Sequence, residues 1–198
     1  VCSSDLNSTP TNNNGAYTFN LLSGWQRIVA AGYAKNFNLS GSCAGSANST
    51  NSSAKTGAVF EGVGAYIATN VVTLNCNGVS SANSEQFYYD KDFMPLGYII
   101  PSSTYAVFSQ VRILPTSVKV GDAGVVAHVV EYTNSSKTVI KSTVDYSYVV
   151  EPDTQNTAII NLLSRTYNET TLTFTEQDRY KINADSTLTP ISIDLQYS

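Results

Sequence analysis

The first apolar periodicity in the chain is helical. From Tyr17 onward the apolar residues fall at Leu21, Leu22, Trp25, Ile28 and Val29, a spacing that gathers side chains on one face of a helix. Ser23 followed three residues later by Gln26 offers a capping box, and Gly32 stands where the helix would stop.

Beyond Gly32 the period changes to two. Phe37, Leu39 and Cys43 open a first strand, and the Ser- and Asn-rich residues 46–53 read as a low-complexity linker. A second strand is expected over residues 58–67, and a third places Val72, Leu74 and Cys76 on one face. Tyr105, Val107, Val111 and Ile113 alternate as far as Pro115, and residues 121–124 form a turn before a strand over 125–132. Val144, Tyr146, Tyr148 and Val150 line one face of a later strand whose other face carries Thr143, Asp145 and Ser147, so one side is core and the other wet. Strands over 158–167, 170–182 and 191–197 complete the pattern.

Links this short join antiparallel neighbours, because parallel pairs need crossovers of a dozen residues or more. The expected fold is therefore mainly β: an antiparallel meander forming a curved sheet or half-barrel around one N-terminal helix, with a two-sheet β-sandwich as the alternative. A membrane barrel is disfavoured, since its lipid-facing side should be free of charge. Here Leu172, Phe174, Tyr180 and Ile182 share their parity with Glu176 and Asp178.

Residues 1–15 are set apart from residues 16–198, the single β-rich domain. Val1 to Leu6 match the translation of a common sequencing adapter and read as a non-native scar. The competing reading makes Cys2 the acylated cysteine of a lipoprotein. Residues 7–15, with three consecutive asparagines, read as a disordered polar lead.

Composition narrows the function classes. Charged residues make up 13% of the 198, against roughly 25% in an average soluble chain, and the net charge is −4. That balance offers no basic footprint for nucleic acid. No apolar run reaches the length of a spanning membrane helix. The single histidine, His128, cannot build a His-rich zinc site and reads as an ordinary strand residue. Cys43 and Cys76 are expected to pair as a disulfide, closing a loop that contains the low-complexity segment.

Several motif matches dissolve on inspection. Gly41-Ser42-Cys43-Ala44-Gly45 lacks the strand-to-helix setting of a nucleophile elbow, and Ser52-Ser53-Ala54-Lys55 shares its lysine with Lys55-Thr56-Gly57, where serine acyl-enzymes use separate elements. Asp90-Lys91-Asp92 opens like a calcium loop, but Pro95 and Pro101 occupy the positions of the required Gly and Glu. One arrangement remains: Glu176 and Asp178 as a carboxylate pair, with Arg165 across the preceding hairpin or Arg179 as an ion-pair partner.

The blocks Phe60-Glu61-Gly62-Val63, Tyr89-Asp90 with Pro95-Leu96-Gly97, Val118-Lys119-Val120-Gly121-Asp122-Ala123-Gly124 and Leu188-Thr189-Pro190 resemble an uncharacterised group of bacterial secreted or lipoprotein-like β-proteins. The stretch from Val118 to Asp122 also resembles strand openings of bacterial immunoglobulin-like modules. The first resemblance implies an extracytoplasmic location: periplasm, outer-membrane-anchored or cell surface. The expected function is an exported envelope or surface protein that binds an apolar small molecule or an envelope partner, with Trp25, Tyr146 and Tyr148 lining the site. The alternatives are a structural or adhesion module and a hydrolase using Glu176 and Asp178. No catalytic residue, cofactor or metal is assigned.

Overall fold

The computed structural model describes residues 17–198. The expected scar, polar lead and Cys2 lie outside the described residues. One helix, α1 (Leu21–Ala31), precedes β1 (Tyr33–Gly41), β2 (Gly45–Asn51), β3 (Lys55–Phe60), β4 (Val63–Cys76), β5 (Val79–Tyr89) and β6 (Pro95–Ile100). The chain continues through β7 (Thr104–Ser109), β8 (Ala123–Tyr132), β9 (Ile140–Thr154), β10 (Thr157–Asn168), β11 (Thr171–Ile182) and β12 (Leu188–Tyr197).

From β4 to β12 each strand pairs antiparallel with the next, as the short links require. The sheet then closes. Residues 39–41 of β1 run parallel to 193–195 of β12, β1 turns back into β2, and β2 pairs antiparallel with residues 70–76 of β4. Eleven strands thus form a closed barrel, with β3 as an extra strand on the first part of β4. This corrects the half-barrel and the sandwich.

The physical cause of the correction is β2, the segment expected as a linker. Its backbone bonds to β1 on one edge and β4 on the other, which removes the open edges that a half-barrel would expose. Its inward residues, Ala47 and Ser49, are small and buried. Ser49 Oγ donates to Asn70 Oδ1 at 3.1 Å, and Asn48 Nδ2 donates to Asn36 Oδ1 at 2.6 Å. Amide and hydroxyl pairs of this kind hold neighbouring strands without apolar bulk.

The helix lies across one barrel end. Asn20 is its N-cap, accepting from the Ser23 N–H at 2.9 Å, so the expected Ser23–Gln26 box is not used. Gly32 ends it at φ 69°, donating its N–H to Ile28 O. Leu22 N–H donates to Pro115 O, Gln26 Nε2 to Asp92 O and Arg27 to Asp185 O. The β5–β6, β7–β8 and β11–β12 connections are thereby tied over the same end. Below the helix, Phe19, Leu21, Leu114, Val118, Val150, Ile160 and Ile182 form a filled core.

Outside the barrel, Phe60 on β3 stacks over Tyr88 and Tyr105 with ring centroids 4.7 and 5.4 Å away. Gly97 makes that approach feasible, because a Cβ there would lie 2.2 Å from the Phe60 ring. Elsewhere the outer face carries a His128–Asp145 hydrogen bond at 2.7 Å and the ion pairs Arg179–Glu151 at 3.5 Å and Lys181–Asp153 at 3.0 Å. The apolar parity of β11 faces inward together with Glu176 and Asp178, so these carboxyls are not the break in an outer face that the sequence suggests. The charges outside on β11 are Arg179 and Lys181, unlike the unbroken apolar band of a lipid-facing barrel.

Cys43 and Cys76 form the expected disulfide, stapling the β1–β2 turn to the end of β4, 33 residues along the chain. The double substitution Cys43→Ser/Cys76→Ser is expected to lower unfolding free energy by about 3–4 kcal/mol on the chain-entropy account, read as a lower urea midpoint. An unchanged midpoint would mean that the β2–β4 seam holds without the cross-link.

Candidate functional site

About eight strands give a barrel whose interior side chains just fill, or which holds one small ligand. Eleven strands leave more room. The helix and its core fill one end, and beyond them lies a cavity of about 470 Å³. Trp25 and Met94 border it from the helix side, with the Trp25 indole N–H fixed by the carbonyl of Phe93 at 2.9 Å.

The walls combine aromatic rings with carboxyl groups. Strand alternation turns Phe174, Glu176, Asp178 and Tyr180 of β11 inward. In register, Glu176 stands between Ser164 on β10 and Leu195 on β12, and Asp178 between Leu162 and Ile193. Glu85 enters from β5 and Glu131 from β8. Tyr33, Tyr98, Tyr146 and Tyr180 contribute phenols, and Tyr146 stacks on Phe108 with centroids 5.5 Å apart. Glu131 is held by the hydroxyls of Tyr98 and Ser142, while Tyr33 is hydrogen-bonded to Ser49 and Tyr180.

Removal from bulk water is the main electrostatic influence on these groups, because it penalises their charged forms. Burial pushes Glu85 up to about 7, with the charges of Glu176 and Glu131 adding to the effect. Burial likewise pushes Asp178 up to about 7, against the lowering effect of a hydrogen bond from Glu176. Glu176 is driven well above the carboxylate range by burial and then by Asp178. The two therefore titrate as a pair, and the raised values belong to the pair rather than to either residue. Burial also raises the phenols of Tyr98, Tyr146 and Tyr180 far above their usual value.

No basic side chain compensates this cluster among the described residues. Arg179, adjacent to Asp178 in sequence, turns its guanidinium to Glu151 and Gln177. Arg165 stands in register with Asp145 and Thr175, on the parity opposite to Glu176. Neither expected ion pair with the carboxylates forms. Asp178 Oδ1 and Asn51 Oδ1, both on cavity-lining residues, are buried with no hydrogen-bond partner among the described residues. Among those residues no group of three or more His, Cys, Asp or Glu side chains could hold a metal ion.

Of the sequence-derived site residues, the structure brings Trp25 and Tyr146 to the cavity. Tyr148 does not reach it. Two residues nearer the helix-covered end of β9, its ring is packed in the filled core, where a Cβ on Gly124 would lie 2.7 Å from it. Glu176 and Asp178 do point inward. They stand side by side, two positions apart on one strand, rather than facing each other across a gap as carboxylates that work on the two sides of a glycosidic bond do. Glu85, Glu131, Tyr33, Tyr98 and Asn51 were not singled out by sequence reasoning. Inward parity on β5 and β8 is the signal that exposes the two glutamates.

Carboxyls whose folded pKa is raised bind more protons in the folded than in the unfolded chain, so stability must fall as pH rises from the unfolded value toward the folded one. The urea midpoint is therefore expected to decline between about pH 4.5 and pH 7, the interval from the ordinary glutamate value to the raised Glu85 and Asp178 values. Glu61, Asp153 and Asp185, all lowered, act in the opposite sense only below that window. Asp178→Asn should flatten the decline. A midpoint rising through the window would contradict the burial of these groups.

Comparisons with protein-family models, with curated proteins and with solved structures give no match, so the reading of this site rests on its geometry and chemistry.

Proposed function

We propose that the chain is an exported, non-catalytic binding protein that holds a small molecule inside its barrel. The observation carrying this reading is the cavity: about 470 Å³, within the roughly 300–1,000 Å³ typical of small-molecule sites, with aromatic walls and a few convergent polar groups. A structural or adhesion module has no use for a hollow interior lined with carboxyls, since filling it with apolar side chains would add stability. The hydrolase alternative draws on the same pair of carboxyls, but both project from one strand two positions apart, which suits them poorly to attack from two sides of a bond.

Export is supported by the Cys43–Cys76 disulfide, since such bonds persist in oxidising compartments, and by the resemblance to secreted or lipoprotein-like β-proteins. Among the described residues no helix is long and apolar enough to cross a membrane.

The test uses N-phenyl-1-naphthylamine, a neutral probe whose fluorescence rises in apolar surroundings. Saturable binding of one probe per chain is expected, and Leu162→Trp, which places an indole in the cavity, should abolish it. Absence of saturable binding, or binding indifferent to Leu162→Trp, would overturn the proposal.

A further inference from the structure

We infer that the molecule held in the barrel is an organic cation, an ammonium group on an aromatic or branched apolar body, seated with its charge among Glu85, Glu176 and Asp178. The inference rests on the cavity reading above and specifies its ligand class.

Three independent features point to it. First, four carboxyl groups border the cavity against a single basic lining residue, Arg179, whose guanidinium pairs with Glu151 and Gln177 instead. A neutral or anionic ligand would leave that imbalance in place; a cation relieves it. Second, of the three buried side-chain atoms without partners among the described residues, Asn161 Oδ1 lies off the cavity, and the two on cavity-lining residues, Asp178 Oδ1 and Asn51 Oδ1, are both acceptors. Each calls for a donor or a positive charge, the character of an ammonium group. Third, the rings of Phe87, Tyr98, Phe108 and Tyr146 run along one wall in a contiguous series, with successive centroids 5.4, 6.2 and 5.5 Å apart. Aromatic faces of this kind attract cations with apolar substituents, and more strongly where water is excluded.

The same features argue against a bare metal ion. The carboxyls are spread over three strands, and the cavity is much larger than an ion requires. Their spacing suits a diffuse charge carried on an apolar body.

Binding is proton-linked. The titratable groups lining the cavity around the Glu176–Asp178 pair are Glu85 from β5, Glu131 from β8, Tyr33 from β1, Tyr98 from β6, Tyr146 from β9 and Tyr180 from β11 itself, together with Arg179, whose guanidinium is held by Glu151 and Gln177. All but Arg179 are acids. A cation stabilises their ionised forms, so its arrival displaces protons from the carboxyls into solvent, and affinity rises with pH.

The experiment compares two isosteres as competitors of N-phenyl-1-naphthylamine: (2-naphthylmethyl)trimethylammonium and 2-neopentylnaphthalene, which has carbon in place of nitrogen. The cation's charge is permanent, so any pH dependence belongs to the protein. At pH 8 the cation should bind at least about tenfold more tightly than the hydrocarbon. That ratio should shrink at pH 5.5 and approach unity in E176Q/D178N, with E85Q between. A hydrocarbon that competes as well as the cation at pH 8, while Leu162→Trp still abolishes probe binding, would overturn the cation and leave the cavity reading intact. Failure of the naphthylamine probe to bind would instead remove the cavity reading itself. Because the wild-type ratio decides the matter, the inference stays testable if a carboxamide variant fails to fold.

Discussion

Closure of the sheet is the constraint on which everything else depends. In an open sheet, alternation separates two faces that both retain access to water; in a closed one it separates an interior from an exterior. The parallel register of β1 on β12 and the antiparallel register of β2 on β4 perform that conversion. Once they are in place, every second residue of β5, β8 and β11 is committed to the inside, whatever its chemistry. That is how Glu85, Glu131, Glu176 and Asp178 come to share one enclosed space.

The two barrel ends are handled differently, and the difference locates the hollow. At one end α1 spreads over the strand connections and its apolar face completes a filled core with Phe19, Leu114 and Val118. At the other, the disulfide joins the β1–β2 turn to the end of β4, and Leu195, Phe174 and Tyr197 still border the cavity. Charges on the outside are paired across strands and stay solvated, so each contributes little to stability. Interior charges lack that solvent. Their presence works against folding, which is the usual physical mark of a site kept for binding rather than packing.

Sequence reading recovered the parts in which hydrophobic periodicity is strong. The helix from Leu21, its stop at Gly32, the antiparallel succession from β7 onward and the Cys43–Cys76 pairing all follow from residues whose side chains announce their burial. What stayed hidden is β2 and the start of β5, which are polar and carry no apolar alternation. The sequence reading also assigns no strand to the apolar end of β5 or to β6, and no turn at residues 61–62, which divides the expected strand 58–67 into β3 and β4. β2 is a strand because neighbours on both sides use its backbone groups, and the start of β5 because β4 pairs along it, causes invisible to the apolar pattern. Since β2 closes the barrel, missing it meant missing the closure. The site was half legible: parity placed Tyr146 and the Glu176–Asp178 pair inward, whereas Glu85, which shares its parity with Phe87 and Tyr89, lies on a strand that the sequence reading does not assign. Tyr148 has the right parity and the wrong depth, a distinction set by where α1 and Phe19 fill the barrel.

The most direct test of the account is the ionisation of the interior carboxyls, followed residue by residue through carbon-13 NMR of the side-chain carboxyl carbons. Glu176 and Asp178 should titrate as a coupled pair that still retains a proton at neutral pH, and Glu85 should titrate near 7. Titration of all three near the ordinary 3.8 to 4.5 of solvated carboxylates would contradict it, because the interior would then be open to water and the barrel would not enclose a site.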